Sequence, residues 1–146
     1  MSDNSPSSDP ILSEIRDGIL QITLNRPQKK NALTQAMYAT MVDALDAADK
    51  DPGVRVILFT GVRECFTSGN DVMDFLGGFV MEESSPVVRF LKGIAGARKP
   101  LVAAVNGAAI GIGVTMLLHC DLVYAAEGAR FRMPFVNLGL CPEAAS

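Results

Sequence analysis

The pattern of apolar and polar positions changes its period within the first third of the chain. Residues 11–24 alternate loosely around Asp17-Gly18, a pair typical of a hairpin turn, and this predicts two antiparallel strands. In residues 33–48, apolar side chains recur at spacings of three and four. That period predicts an amphipathic helix, whose first turn can be capped by Asn31 or Thr34.

The pattern further along the chain predicts a parallel sheet with helical crossovers. Residues 54–60 and 101–105 are short and almost continuously apolar, as is typical of strands covered on both faces. A second amphipathic helix is predicted at 86–98, whereas 72–83 is ambiguous and 129–133 is compatible with a further strand. This alternation predicts an α/β protein. The strands expected to share one sheet system, with helices outside it, are 19–24, 54–60, 101–105 and 121–125.

Composition describes a globular domain that binds neither nucleic acid nor membrane. The 146 residues are 49% hydrophobic and 20% charged, with a net charge of −3 and no basic run. Such a balance gives no electrostatic basis for binding nucleic acid. Asn106 and several glycines interrupt the longest apolar run, so no membrane span is expected.

The first ten residues indicate where the folded domain begins, and the cysteine content indicates the cellular compartment. Residues 1–10 are polar and rich in Ser and Pro, with no secretory leader, which predicts a disordered tail before a core domain at 11–146. The three cysteines and single histidine suggest neither a disulfide framework nor a metal site. We therefore expect a bacterial cytoplasmic protein, with a peroxisomal location as the alternative in a eukaryote.

A glycine-rich segment after the strand 101–105 is a candidate site. Asn106-Gly107 ends the strand, small residues follow as far as Gly113, and the apolar run to His119 predicts a buried helix. Unpaired N–H groups at such a helix start favour an anion, or an oxygen that becomes one during reaction. The spacing matches neither a dinucleotide fingerprint nor a phosphate loop. The glycines alone are equally compatible with close packing and no ligand.

A second segment sharpens this interpretation because it directly follows the strand 54–60, where α/β proteins bind ligands. The combined motifs resemble the crotonase, or enoyl-CoA hydratase/isomerase, family over roughly residues 11–146. They are Asn25-Arg26-Pro27, Asn31-Ala32-Leu33, Phe66-Thr67-Ser68-Gly69-Asn70-Asp71, Lys99-Pro100, Ala104-Val105-Asn106-Gly107, Gly111-Ile112-Gly113 and Cys120-Asp121. The resemblance implies a crotonase-like ββα superhelix, interrupted before its carboxyl-terminal helical part, and a homotrimer or hexamer.

The resemblance also implies where an acyl-CoA thioester would bind. Family members form an oxyanion hole from two backbone N–H groups, which correspond here to those of Asn70 and Ile112. A basic loop at Lys29 and Lys30 is similar to the family's contact with the phosphates and adenine of coenzyme A. Coenzyme A is then part of the substrate, and no cofactor or metal is expected. The other implied substrate-binding residues are Ala32, Ser68, Gly69, Asp71, Val72 and Gly111.

The chemistry implied by the family depends on its carboxylates. Hydratases use two Glu residues, one to activate water and one to deliver a proton, and these positions correspond to Thr115 and Phe135. Neither side chain is a base at neutral pH. Glu143, however, lies in a segment that resembles peroxisomal-type Δ3,Δ2-enoyl-CoA isomerases, in which one Glu moves a proton from C2 to C4. The alternatives are another family reaction through the same enolate, and a non-catalytic acyl-CoA-binding or assembly module.

Overall fold

The computed structural model describes residues 8–76 and 82–142. Glu143, the predicted base, lies outside the described residues, as does most of the predicted tail. In the described part of the chain, no helix is long and apolar enough to cross a membrane.

The chain begins with the predicted hairpin, formed by β1 (Ile11–Arg16) and β2 (Ile19–Leu24). Asp17 and Gly18 between them have φ angles of 53° and 82°. Two consecutive positive φ values are the geometry of a type I′ turn, which matches the twist of the flanking strands. On β2 the apolar residues at alternate positions are buried, so one face of the hairpin contributes to the core.

Two amphipathic helices pack against each other and help cover the sheet. The first, α1 (Gln35–Lys50), is capped by Thr34, whose Oγ1 accepts a hydrogen bond from the Met37 amide at 3.3 Å. The short helix α2 (Val72–Leu76) occupies part of the ambiguous segment. The second long helix, α3 (Pro86–Ala95), begins at the proline but ends three residues earlier than predicted. Gly96 caps its carboxyl end, and the Gly96 amide donates to the Lys92 carbonyl at 2.9 Å.

The predicted strands share one five-stranded sheet. Its remaining members are β3 (Val56–Gly61), β5 (Leu101–Val105) and β7 (Leu122–Ala125), and the order is β1-β2-β3-β5-β7. Only β1 is antiparallel to its neighbour. The Asp121 carboxylate accepts a hydrogen bond from the Leu101 amide at 2.8 Å and so links the starts of β5 and β7.

A second, three-stranded sheet is a feature that the apolar pattern does not predict as such. It consists of β4 (Cys65–Thr67), β6 (Ala108–Ile110) and β8 (Arg130–Arg132), which are parallel and lie in that order. Only β8 falls in a segment that the sequence marks as compatible with a strand. Because β4 and β6 are parallel neighbours, their carboxyl ends meet at one edge of this sheet.

The predicted helix after the glycines is short and irregular. One turn of α-helix, α4 (Ile112–Thr115), continues as a 3-10 helix over Met116–His119. The helical segment begins at Ile112, the first residue after Gly111, and so includes Gly113, the last of the small residues.

Candidate functional site

A cavity of about 420 Å³ lies where β4 and β6 end. Residues that follow β4 form one side of it, namely Ser68, Gly69 and Asn70, and Gly111 and Ile112 after β6 form another. Its remaining walls are mostly apolar and consist of Val72, Leu76, Ile110, Pro134, Phe135, Leu138 and Leu140. The space thus combines exposed backbone at the strand ends with a hydrophobic lining.

The backbone N–H of Asn70 is directed by a single parallel bridge to Leu33. Leu33 donates to the Gly69 carbonyl, and the Asp71 amide donates to the Leu33 carbonyl, each at 2.8 Å. Successive amides of an extended chain point to opposite sides, so the N–H of Asn70 points away from Leu33. Within the described residues this N–H has no acceptor.

The N–H of Ile112 is left unpaired for a different reason. The Gly111 amide still belongs to the sheet, since it donates to the Arg132 carbonyl at 2.9 Å. Gly111 then takes φ 56° and ψ −119°, a conformation that L side chains rarely adopt, and α4 starts at the next residue. The first amides of a helix have no partner within it, and in residues 8–76 and 82–142 that of Ile112 finds none elsewhere.

The amino-terminal loop holds the Asn70 side of the cavity in place through a buried polar network. Asn31 is fully buried, and its Nδ2 donates to the carbonyls of Cys65 at 2.8 Å and Phe66 at 3.3 Å. Thr67 returns a hydrogen bond from its Oγ1 to the Asn31 carbonyl at 2.7 Å and accepts one from the Gly69 amide at 3.1 Å. Asn31 is therefore a tether for β4 and not the helix cap.

An ion pair fixes the residue that follows Asn70. Arg26 Nη1 lies 2.6 Å from Asp71 Oδ2, and both side chains are largely shielded from solvent. The hydrogen bond from Arg26 lowers the pKa of Asp71, and hydrogen bonds from the Met73 and Asp74 amides lower it further. The Asp71 carboxylate is thus held by these partners and stabilises the turn after Asn70.

The predicted site residues fall into three groups. Ser68, Gly69, Asn70, Val72, Gly111 and Ile112 line the cavity at the strand ends. Lys30 lines a second cavity of about 790 Å³, together with Arg63 and the first residues of β4 and β6. The two cavities therefore lie at opposite ends of the three-stranded sheet.

Lys29, Ala32 and Asp71 border neither of these two cavities. Lys29 is exposed, and the Ala32 carbonyl accepts a hydrogen bond from Arg26 Nη1 at 3.0 Å. Lys29, Ala32 and Asp71 therefore belong to the hydrogen-bonded loops next to the cavity and do not line it.

The described part of the cavity wall carries no carboxylate. Thr115 is completely buried and Phe135 nearly so; these are the two positions that the family resemblance aligns with the Glu residues of hydratases. The described residues include no group of three or more His, Cys, Asp or Glu side chains that could hold a metal ion, and Cys65, Cys120 and Cys141 are free thiols. Burial and the neighbouring Asp121 raise the pKa of Cys120 to about 11.

Two features of the site were not predicted from the sequence, namely the apolar side chains that line the cavity and the contact of Tyr38 with Asn70. Phe135, Leu138 and Leu140 border the cavity, and their spacing is the only signal that could have indicated a shared face. Tyr38, on α1, reaches Asn70 from the core, and a hydroxyl on an otherwise apolar helix face is the corresponding signal.

Comparison with known proteins places this geometry in a family. The enoyl-CoA hydratase/isomerase family model matches residues 14–146. Enoyl-CoA delta isomerase 2 of Rattus norvegicus is 45% identical over 144 residues, which are 93% of this chain and 36% of the relative. Enoyl-CoA hydratase ACTT3 of Alternaria alternata is 40% identical over 133 residues, which are 89% of this chain and 45% of that protein.

A solved structure extends the comparison to the fold. The enoyl-CoA hydratase/isomerase of Pseudoalteromonas atlantica superposes with a TM-score of 0.90 at 46% identity, covering 94% of this chain and 55% of the other. The chain thus spans roughly a third to a half of the length of these relatives. The resemblance in the motifs is confirmed: the chain belongs to the enoyl-CoA hydratase/isomerase family and has the α/β crotonase fold.

Proposed function

We propose that this chain carries the acyl-CoA site of an enoyl-CoA isomerase, which shifts the double bond of a 3-enoyl thioester to the 2-trans position. The observation that carries the proposal is the pair of N–H groups of Asn70 and Ile112, which border one apolar cavity and lack acceptors among the described residues. When C2 loses a proton, negative charge moves to the thioester oxygen. Two donors already in position stabilise that charge without reorganisation.

The choice of isomerase over hydratase rests on the number of available acids. Relatives carry both names, so membership of the family does not decide between them. Hydration needs a base for water and an acid for the α-carbon, whereas moving a double bond needs one group that takes a proton and returns it. Thr115 and Phe135 cannot serve the first chemistry. Glu143, three residues after the cavity-lining Leu140, is the group proposed for the second.

Coenzyme A would be held outside the acyl cavity by cationic side chains. Lys29 and Lys30 are exposed, and Lys30 lines the second cavity beside Arg63. Phosphate groups are attracted by such cations, and the attraction weakens as salt rises. No separate cofactor is required, because the thioester itself supplies the activated carbonyl.

The test is turnover of a 3-enoyl-CoA by the full chain, followed by proton NMR. We expect a 2-trans-enoyl product and, for Glu143→Gln, a loss of at least about 10²-fold, the lower limit for removing a positioned general base. Acyl-CoA binding measured by calorimetry should change little, since neither N–H donor is altered. Thr115→Ala is the control, and its turnover should fall much less.

Three other outcomes would redirect the assignment. A 3-hydroxyacyl product would indicate a hydratase, and tight binding without turnover would indicate a non-catalytic acyl-CoA module. Full isomerase activity in Glu143→Gln would end the proposal for that residue and require another base.

A further inference from the structure

The carboxamide of Asn70 is held by a tyrosine from the core. The Tyr38 hydroxyl donates a hydrogen bond to Asn70 Oδ1 at 2.5 Å. Tyr38 is fully buried on α1, and its ring packs against Phe90 of α3 with centroids 5.3 Å apart. A ring enclosed in this way cannot follow Asn70 if that side chain rotates, so the hydroxyl acts as a fixed donor.

The other end of the same carboxamide has no assigned role. Asn70 Nδ2 makes no hydrogen bond to any described residue, although Asn70 lines the acyl cavity and is only partly exposed. The backbone on either side is fixed, by the Leu33 bridge and by the pair between Arg26 and Asp71. With the oxygen end occupied by Tyr38, the donor end is the part of the side chain left for a ligand.

We propose that Tyr38 is a positioning residue that orients the Asn70 carboxamide, so that Nδ2 is presented to the thioester oxygen as a third hydrogen-bond donor. This inference rests on the proposed acyl-CoA function of the same cavity. The backbone N–H of Asn70 is present whatever the side chain at this position. The third donor, in contrast, requires an asparagine side chain whose Nδ2 faces the cavity.

The orientation matters because a carboxamide has one donor and one acceptor end. Without Tyr38, a half-turn of the last torsion places Oδ1 towards the cavity, where it faces the oxygen that gains charge. During reaction the C2 proton passes to the base and the electron pair moves to the thioester oxygen. Asn70 keeps both of its Nδ2 protons and forms no covalent bond.

The first experiment measures the enolate directly with acetoacetyl-CoA, whose bound enolate absorbs in the ultraviolet. Removal of one hydrogen bond to a charged group should lower the ratio of enolate to ketone by about tenfold in Tyr38→Phe. Turnover of a 3-enoyl-CoA should fall similarly, while binding of a saturated acyl-CoA should change by less than about twofold. The matched control is Tyr124→Phe. Tyr124 is the other tyrosine of the chain and lies exposed on β7, so this change should leave the ratio of enolate to ketone unaltered.

A double-mutant cycle separates this role from a merely structural one. In an Asn70→Ala background, Tyr38→Phe should have no further effect on the enolate ratio, because the group that it orients is gone. Equal effects of Tyr38→Phe in both backgrounds would overturn the proposal. A wild-type enolate ratio in Asn70→Ala would do so as well.

The series at position 70 keeps the test decisive even if Tyr38→Phe does not fold. Asn70→Asp replaces the donor end with a second acceptor, so its enolate ratio should fall below that of Asn70→Ala. The reverse order would contradict the proposal with Tyr38 intact. If the wild-type chain binds no acyl-CoA, the proposed acyl-CoA function itself is wrong. That result differs from a double-mutant cycle that contradicts only the positioning role of Tyr38.

Discussion

The ion pair between Arg26 and Asp71 shows how single residues govern the backbone of the site. The hydrogen bond from Arg26 lowers the pKa of Asp71 below its ordinary value of about 3.8. A carboxyl whose pKa is lower in the folded than in the unfolded protein adds stability above its unfolded pKa. That contribution is lost as pH falls through the folded pKa.

Asp71→Asn should therefore destabilise the chain by a constant amount between about pH 7 and pH 5, and by less as the pH falls below the unfolded pKa. Urea unfolding at a series of pH values measures this difference. Asp46→Asn is the control, since its contact with Arg89 is 3.5 Å long and exposed, and its effect should stay below about 0.5 kcal/mol. A difference for Asp71→Asn that persists unchanged at pH 2 to 3 would show that the charge of Asp71 is not its source.

Asn31 marks the limit of what the sequence reveals at this scale. An asparagine just before an amphipathic helix is a reasonable cap, and Thr34 was the other option. Which of the two caps the helix depends on β4, because the Asn31 carboxamide binds the carbonyls of Cys65 and Phe66. Those carbonyls lie more than thirty residues away in sequence, so no local pattern contains the answer.

At the scale of elements, the carboxyl end of α1 is joined to the start of β5 by one lysine. Lys99 Nζ donates to the carbonyl of Ala48, to that of Asp51 at 2.5 Å and to that of Val54 at 2.6 Å. The last carbonyls of a helix lack partners within it, and a cation is favoured there. A single ammonium therefore ties the helix end and the entry to β3 to the residue before Pro100.

Replacing that ammonium should destabilise the fold without touching the site. Lys99→Met keeps an unbranched apolar stem but leaves the carbonyls unpaired, and we expect a loss of about 1.5–3 kcal/mol in the free energy of unfolding. Lys92→Met removes an exposed pair with Glu83 and should cost less than about 0.5 kcal/mol. Urea denaturation compares the two, and similar losses would show that the Lys99 contacts contribute no more than a surface pair.

The elements themselves divide into those with a local signal and those without one. The hairpin, α1 and α3 follow from turn residues and from periods of two or 3.6, and the inner strands of the large sheet follow from short, almost continuous apolar runs. The strands β4 and β6 have three residues each, too few for any period, and they pair across some forty residues. The motifs in these segments indicated the family, but only the folded chain shows that they are neighbouring strands whose ends form one cavity.

At the scale of the whole molecule, exposed apolar side chains collect towards the carboxyl-terminal part of the described chain. On β7 all four residues are exposed, and β7 is an edge of the five-stranded sheet. The larger exposed side chains in this region are Leu118, Leu122, Val123, Tyr124, Phe131, Met133, Val136, Leu138 and Leu140. An exposed strand edge with apolar side chains favours association with another chain or segment.

We expect the chain to self-associate at micromolar concentration, as the implied trimer or hexamer requires, with the β7 edge in the contact. Leu122→Lys combined with Tyr124→Lys places two charges on one face of this strand, since alternate residues share a face, and should shift the light-scattering mass towards the monomer. The matched control is Ile15→Lys with Ile19→Lys, which changes two exposed apolar residues of the hairpin, one on the edge strand β1 and one on its neighbour β2, on the side of the sheet away from β7. Its mass should equal that of the wild type. A clean wild-type monomer would contradict association, whereas equal dissociation of both double variants would indicate general surface stickiness and not a contact at β7.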